Sequence, residues 1–442
     1  MAESGSSKPA QARPAEIRAL AGARALPPLL LVLYHYHEAH GYQNWRWFDV
    51  FVAKGYLWVE FFFALSGFIL VHVYGARTAP SPPHTSPPPR GEIEERSDAG
   101  GGPASDMSPP PGSPALHAGS PTSPQGGGEP KAAHFRYFEF LKARLARLYP
   151  LHLATLLIML ALVLFFRWLA AIGGYTSIYD LPGYHPYTSF WSFIGNLFLV
   201  QAWHLFPRLS WNGVSWFVSV EWFLCLVFPL YLWMARQRAW AGLALVAFGF
   251  AVLAMLIKPR IGLDITYDWG IVRGMADFAI GVGLAIVYRE LKPRADALSV
   301  HWLSLAQLVA FAALLYAIYN TGWSHTVRDY WLLPPLMTII LALAFDRGIV
   351  AQFFQSQPLR LLGEWSFAIY MGQTTFLQLL RMAEQRVYPN PRPEWAHAIH
   401  LIEPAVLLIL CVAWGALLYY AVERPANAWL RAHLLAKTQP RG

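Results

Sequence analysis

Trp211-Asn212-Gly213-Val214-Ser215-Trp216-Phe217-Val218-Ser219-Val220-Glu221-Trp222-Phe223-Leu224-Cys225-Leu226-Val227-Phe228-Pro229-Leu230-Tyr231-Leu232-Trp233-Met234 carries one charge, Glu221, in an otherwise aliphatic and aromatic run. Wound as an α-helix, these residues extend roughly 36 Å at ~1.5 Å per residue. That exceeds the ~30 Å hydrocarbon core of a bilayer. The run reads as a membrane-crossing helix with a carboxyl about ten residues inside it. An acid at that depth is expensive in lipid and is a candidate for function.

The rest of the chain agrees. Of its 442 residues 55% are apolar and 14% charged, against about 25% charged in a typical soluble chain. A disordered chain, a nucleic-acid binder and a disulfide scaffold all fit poorly. The net charge of +8 resembles a basic partner surface until the charges are placed, when most prove to flank apolar runs. Cys225 and Cys411 both lie in such runs, and no Cys/His cluster has metal-ligand spacing. The first apolar run, Leu29–Leu33, leads into Tyr34-His35-Tyr36-His37-Glu38 rather than a cleavage site. It is therefore expected to stay in the protein as the first span.

Hydrophobic runs near 19–39, 51–74, 148–168, 211–234, 240–257, 267–288, 302–320, 331–346, 362–380 and 399–422 predict an all-α polytopic bundle of about ten transmembrane helices. The run Phe190–Phe206 contains Asn196, Gln201 and His204 and is expected to be re-entrant or interfacial. Ten spans put both termini on one side. With that side as the cytoplasm, 23 of the 34 basic residues fall there, the bias the positive-inside rule requires.

Four regions follow: residues 1–77 hold an N-terminal tail and two helices, 78–133 an insert, 134–425 the remaining membrane domain, and 426–442 a cytoplasmic tail. The insert has 14 of the chain's 34 prolines and the run Gly126-Gly127-Gly128. Such a composition buries too little apolar area to offset its ordering entropy, so the insert is expected to be a disordered cytoplasmic linker.

The ionisable groups within or beside the spans form a pattern. On an unbroken helix Arg24 and His35 project within about 20° of one another and about 16 Å apart. The arginine lies at the mouth and the imidazole at depth. Such a stripe suits a ligand with an anionic head and a thin arm ending in a reactive group. It also suits a snorkelling anchor beside a histidine that bonds a neighbouring carbonyl. Arg144 and Arg147 are neighbours on one helix face at the level of Arg24. They are either the ordinary basic flank of a span or, with Arg24, a phosphate site built from guanidinium forks. Glu221, entering from the other surface, reaches a depth similar to His35. A base and an acid meeting midway is what general acid/base chemistry needs. Ser66-Gly67, Gly270–Gly274 and Gly281–Gly283 read as close-packing features.

These motifs resemble those of the membrane acyltransferase-3 family. The resemblance lies in Arg24 and His35, Phe61-Phe62-Phe63-Ala64-Leu65-Ser66-Gly67-Phe68, Arg144-Leu145-Ala146-Arg147-Leu148-Tyr149-Pro150 and Trp216-Phe217-Val218-Ser219-Val220-Glu221. It continues in Gly363-Glu364-Trp365-Ser366-Phe367-Ala368-Ile369-Tyr370 and Glu423-Arg424-Pro425. It runs from about residue 15 to 430, omitting the insert. It implies an integral-membrane O-acyltransferase moving an acyl group, most simply acetyl, from cytoplasmic acyl-CoA to a hydroxyl of an envelope or secreted glycan or lipid-linked saccharide. It further implies His35 as base, Glu221 as its orienting partner or an acceptor contact, and Arg24, Arg144 and Arg147 as donor ligands. Acyl-CoA enters as a substrate, no cofactor is permanently bound, no metal or nucleic acid is used, and a bacterial-type inner membrane is the expected site.

The sequence departs from the family pattern at Ala21, where aspartate is usual, at Gln373, where histidine is often found, and at Glu60, where the acid is usually aspartate. Two other readings use the same residues: a ten-helix transporter, for which the paired halves common in that class are not visible, and an inactive acyl-CoA-binding membrane protein.

Overall fold

The computed structural model describes residues 15–40, 46–78, 135–174, 188–387 and 402–435. Among these there is no strand, only one isolated antiparallel bridge between Lys258 and Gly262. The predicted insert, apart from Thr78, lies outside the described residues, as do the ends of both terminal tails.

The first predicted span is interrupted. Helix α1 covers Arg18–Ala23 and α2 Leu26–His40, with a turn at Arg24 and Ala25. Pro27 and Pro28 lack the N–H groups that would bond to the carbonyls one turn back, so the helix breaks there. The continuous Arg24–His35 stripe expected from sequence is therefore not formed. Helix α3 (Arg46–Ala53) leads to α4 (Trp58–Thr78).

Helix α5, Tyr137–Gly173, starts well before its predicted span and runs 37 residues, roughly 55 Å at ~1.5 Å per residue. Arg144 and Arg147 lie on the helix itself, as expected, and the extra turns precede them. It stops at Gly174, whose φ of +69° is the left-handed conformation glycine adopts without a Cβ penalty. The segment expected to be re-entrant or interfacial contains only α6, Phe190–Leu197, and irregular chain. Eight residues reach about 12 Å, too short to cross. Then follow α7 (Trp216–Met234), α8 (Ala239–Leu256), α9 (Gly270–Ala297), α10 (Val300–Thr321), α11 (Leu333–Ala344), α12 (Ile349–Phe354), α13 (Gln357–Val387), α14 (Glu403–Leu418) and α15 (Arg424–Leu435). A five-residue π-helical segment, Tyr419–Glu423, joins the last two, and α15 continues helical structure past the predicted boundary at 425.

Eight helical segments among the described residues are long and apolar enough to cross a membrane. The other two predicted spans are present as helices. Helix α2 is short because the proline pair truncates it, and α13 carries Arg360, Glu364 and Arg381 along its length. The protein is an all-α polytopic bundle.

Packing is arranged for lipid. Large apolar side chains point outward from α5 (Trp168), α8 (Trp240, Phe248, Met255), α10 (Trp302, Tyr316) and α14 (Ile409), as befits a surface solvated by hydrocarbon. Phe61, Phe63, Phe68, Phe228 and Phe278 fill the interior. Helices α4 and α9 touch backbone to backbone. A Cβ on Gly67 would lie 2.5 Å from the Phe278 carbonyl oxygen, and one on Gly281 would lie 1.9 Å from that of Ala64. Small residues at such crossings are the usual device of membrane helix pairs.

This close approach brings Glu60 of α4 to Arg273 of α9. Arg273 Nε and Nη2 donate to the two Glu60 oxygens at 3.1 and 2.7 Å, and both side chains are almost wholly buried. A second buried pair, Lys54 Nζ to Asp329 Oδ1 at 2.6 Å, ties the turn before α11 to the end of α3. Tyr56 donates to the other Asp329 oxygen at 2.6 Å.

Candidate active site

Two cavities lie side by side in the bundle. The smaller, of about 120 Å³, is lined by Arg24, Arg144 and Arg147 together with Ser66, Glu221, Ser366 and Tyr370. The proline break turns Arg24 out at the end of α1, and the early start of α5 delivers the other two arginines from one face. Among the described residues none of the three guanidiniums makes a hydrogen bond or ion pair, and Arg144 lies 5.6 Å from the Phe140 ring centre. Glu221 and Glu423 are the carboxylates whose charge reaches Arg24 and Arg147. Three guanidiniums against two carboxylates leave the cavity with excess positive charge and many unused planar donors. That is the chemistry that holds phosphate or carboxylate.

Glu221 belongs to this cavity. Ser66 Oγ donates to Glu221 Oε1 at 2.5 Å, while Glu221 Oε2 is buried without a hydrogen-bond partner among the described residues. The sequence Ser66-Gly67 predicts a packing feature, and Gly67 does pack. The serine is also the carboxyl's partner, a role that no local pattern signals.

The larger cavity, of about 350 Å³, is lined by His35 and by Tyr34, Tyr56, Trp216 and Tyr370, with Glu38, Asp264, Thr374, Gln378 and Arg381 among its polar groups. Aromatic faces alternating with hydrogen-bonding groups suit a hydroxylated ligand that presents both apolar ring faces and polar edges. Tyr34 donates to Glu38 Oε1 at 2.8 Å and meets the His35 ring edge-on at 5.2 Å. Arg273 also borders this space, held in place by Glu60 and lying 5.3 Å from the Trp216 ring centre. Arg273 is not among the residues expected from sequence, although an arginine inside the run 267–288 is the kind of intramembrane charge that marks a site.

The expected meeting of His35 with Glu221 is not what the packing produces. The His35 partner is Gln373, whose Oε1 lies 3.1 Å from His35 Nδ1. The break in the first span and the separate paths of α2 and α7 put the imidazole in one cavity and the carboxyl in the other. Tyr370 lines both. Its hydroxyl donates to the Val214 carbonyl at 2.9 Å, and its ring stands edge-on to Phe62 and Phe217, which fixes it at the border of both. Among the described residues no group of three or more His, Cys, Asp or Glu is placed to hold a metal.

Comparison with known proteins follows the same line. A family described as an acyltransferase domain, of the acyltransferase-3 type, matches residues 17–421. The chain is 25% identical over 325 residues to "Acyltransferase MdmB" of Streptomyces mycarofaciens, an alignment covering 68% of this chain and 77% of that protein. No solved structure matches it.

Proposed function

The chain belongs to the acyltransferase-3 family, and from that premise we propose that this multi-pass membrane acyltransferase moves an acyl group, most simply acetyl, from acyl-CoA to a hydroxyl of a glycan or similar polyhydroxylated acceptor. The observation that carries the reading is the pair of adjoining cavities. One gathers three arginines whose guanidiniums have no hydrogen-bond or ion-pair partner among the described residues, the other contains the imidazole, and one tyrosine is common to both.

The two ends of a coenzyme A thioester match these spaces. Its phosphates would sit against Arg24, Arg144 and Arg147, where guanidinium forks satisfy phosphate oxygens. The slender pantetheine arm would pass Tyr370 and present the thioester carbonyl beside His35. The acceptor would lie among Tyr34, Tyr56 and Trp216. His35 would take the proton from the acceptor hydroxyl as its oxygen bonds to the thioester carbon. Collapse of that adduct breaks the carbon–sulfur bond, and the departing thiolate takes the proton. Water kept from the cavity would spare the thioester from hydrolysis. Glu221 would act from the donor side, setting the charge and shape of the arginine cavity. The basic flanks of the spans support a donor drawn from the cytoplasm, with both termini there, in an inner-membrane setting.

The test is transfer of labelled acetyl from acetyl-CoA in purified membranes, comparing wild type with His35→Ala and Glu221→Gln. His35→Ala should lower transfer by about 10²- to 10⁴-fold with protein levels unchanged. Undiminished acetylation in that variant would remove the proposed base.

A further inference from the structure

His35 is held by a neutral amide, and the amide's own bonding determines which way round the imidazole must be. Gln373 Nε2 donates to the Tyr370 carbonyl oxygen at 3.0 Å. A carbonyl oxygen carries no hydrogen, so only the NH₂ end of the amide can face it. The other end, Oε1, is then the atom 3.1 Å from His35 Nδ1. An amide oxygen only accepts, so Nδ1 must carry the hydrogen. A neutral imidazole has one N–H, which leaves Nε2 with its lone pair and no partner among the described residues. Gln373 is fully buried, so water is not available to stand in for either contact. The anchor is rigid, because Gln373 and Tyr370 lie one turn apart on α13 and Tyr370 is itself pinned to Val214.

From this geometry we infer that Gln373 is a positioning residue that fixes His35 as the Nδ1–H tautomer and so makes Nε2 the proton-accepting atom. The tautomer assignment stands on hydrogen bonds alone, and its catalytic consequence rests on the acyl-transfer reading above. The arrangement explains how the chain manages without the histidine often found at this position. What the imidazole needs there is an acceptor for Nδ1–H, and an amide oxygen serves. It orients the ring without adding a charge to the interior.

Two substitutions separate positioning from mere packing. Gln373→Glu keeps the shape and an acceptor oxygen toward Nδ1 while giving up the donor to the Tyr370 carbonyl, so Nδ1 keeps its hydrogen. Gln373→Met has similar length and no oxygen or nitrogen, so it releases the ring to sample both tautomers. The readout is nitrogen NMR of ¹⁵N-histidine-labelled protein in lipid nanodiscs, with His35→Ala identifying the His35 signals and no substrate present. Wild type should show hydrogen on Nδ1 and a bare Nε2, Gln373→Glu should keep hydrogen on Nδ1, and Gln373→Met should show hydrogen on either nitrogen. Labelled-acetyl transfer in membranes should fall about 100-fold in kcat for Gln373→Met with the KM for acetyl-CoA unchanged. Gln373→Glu should retain most of the rate. Hydrogen on Nε2 in the wild type, or an unaltered tautomer in Gln373→Met, would overturn the assignment. An Nδ1–H signature alongside full transfer in His35→Ala would overturn the catalytic consequence and the acyl-transfer role of His35, leaving the tautomer assignment standing.

Discussion

Ser66 on α4 donates its hydroxyl hydrogen to Glu221 on α7 across 2.5 Å, in the cavity that also holds Arg24, Arg144 and Arg147. The bond fixes one carboxylate oxygen, and the other is left buried without a hydrogen-bond partner among the described residues. A carboxyl is thereby stationed among three guanidiniums, and as a carboxylate it offsets part of their attraction for an anion.

Glu221→Gln removes that opposing charge while keeping the side-chain shape. Binding of CoA to the purified protein in nanodiscs should tighten by about threefold or more, because a nearby like charge no longer repels the phosphates. Acetyl transfer in membranes should nonetheless fall. Weaker CoA binding in this variant, measured by titration calorimetry, would contradict the placement of the phosphates in the arginine cavity.

Arg147→Gln should weaken CoA binding by about tenfold, the effect of losing one charge-assisted contact. Arg147→Lys should recover only part of it, since an ammonium cannot reproduce the planar fork. The wild-type affinity should also fall with added salt. A Kd for CoA that is insensitive to both the substitution and the salt would show that the phosphates bind elsewhere.

Arg273→Met leaves Glu60 buried without its counter-charge and should destabilise the protein by about 3–5 kcal/mol, read as a lower unfolding temperature in detergent. The double variant Glu60→Leu/Arg273→Met removes both charges and should recover much of that loss. A double variant as unstable as Arg273→Met would mean that the pair contributes through something other than charge compensation.

Tyr370→Ala should widen the passage between the two cavities and admit water to it. The expected result is a rise of roughly threefold or more in acetyl-CoA hydrolysed per acetyl transferred, measured as free CoA against labelled ester. An unchanged ratio would argue that Tyr370 does not keep water from the path of the pantetheine arm.

Much of this was legible in the chain. The runs that became α4, α5 and α7 to α11 announce themselves because a crossing helix must be apolar for about 20 residues, and lipid-facing side chains need no partner to define them. The candidate cations Arg24, Arg144 and Arg147 were legible for a related reason, since charges beside spans are few and each stands out. Less visible were the exact ends of helices. The Pro27-Pro28 break was written in the sequence, yet a continuous apolar run masks it. The early start of α5 was hidden because its first turns are polar enough to read as loop.

Sequence alone determined that this is a membrane helix bundle of the acyltransferase-3 kind and which ionisable side chains stand within it, because hydropathy and residue type are properties of the chain read in order. Only the tertiary structure decided who meets whom. Gln373 rather than Glu221 reaches the His35 imidazole, Ser66 reaches Glu221, Arg273 reaches Glu60, and Tyr370 stands between two cavities. Each of these pairs joins residues far apart in sequence and on different helices. Their contact depends on where each helix breaks, how it is rotated and how closely the glycines let α4 and α9 approach, and no spacing along a single helix encodes those quantities.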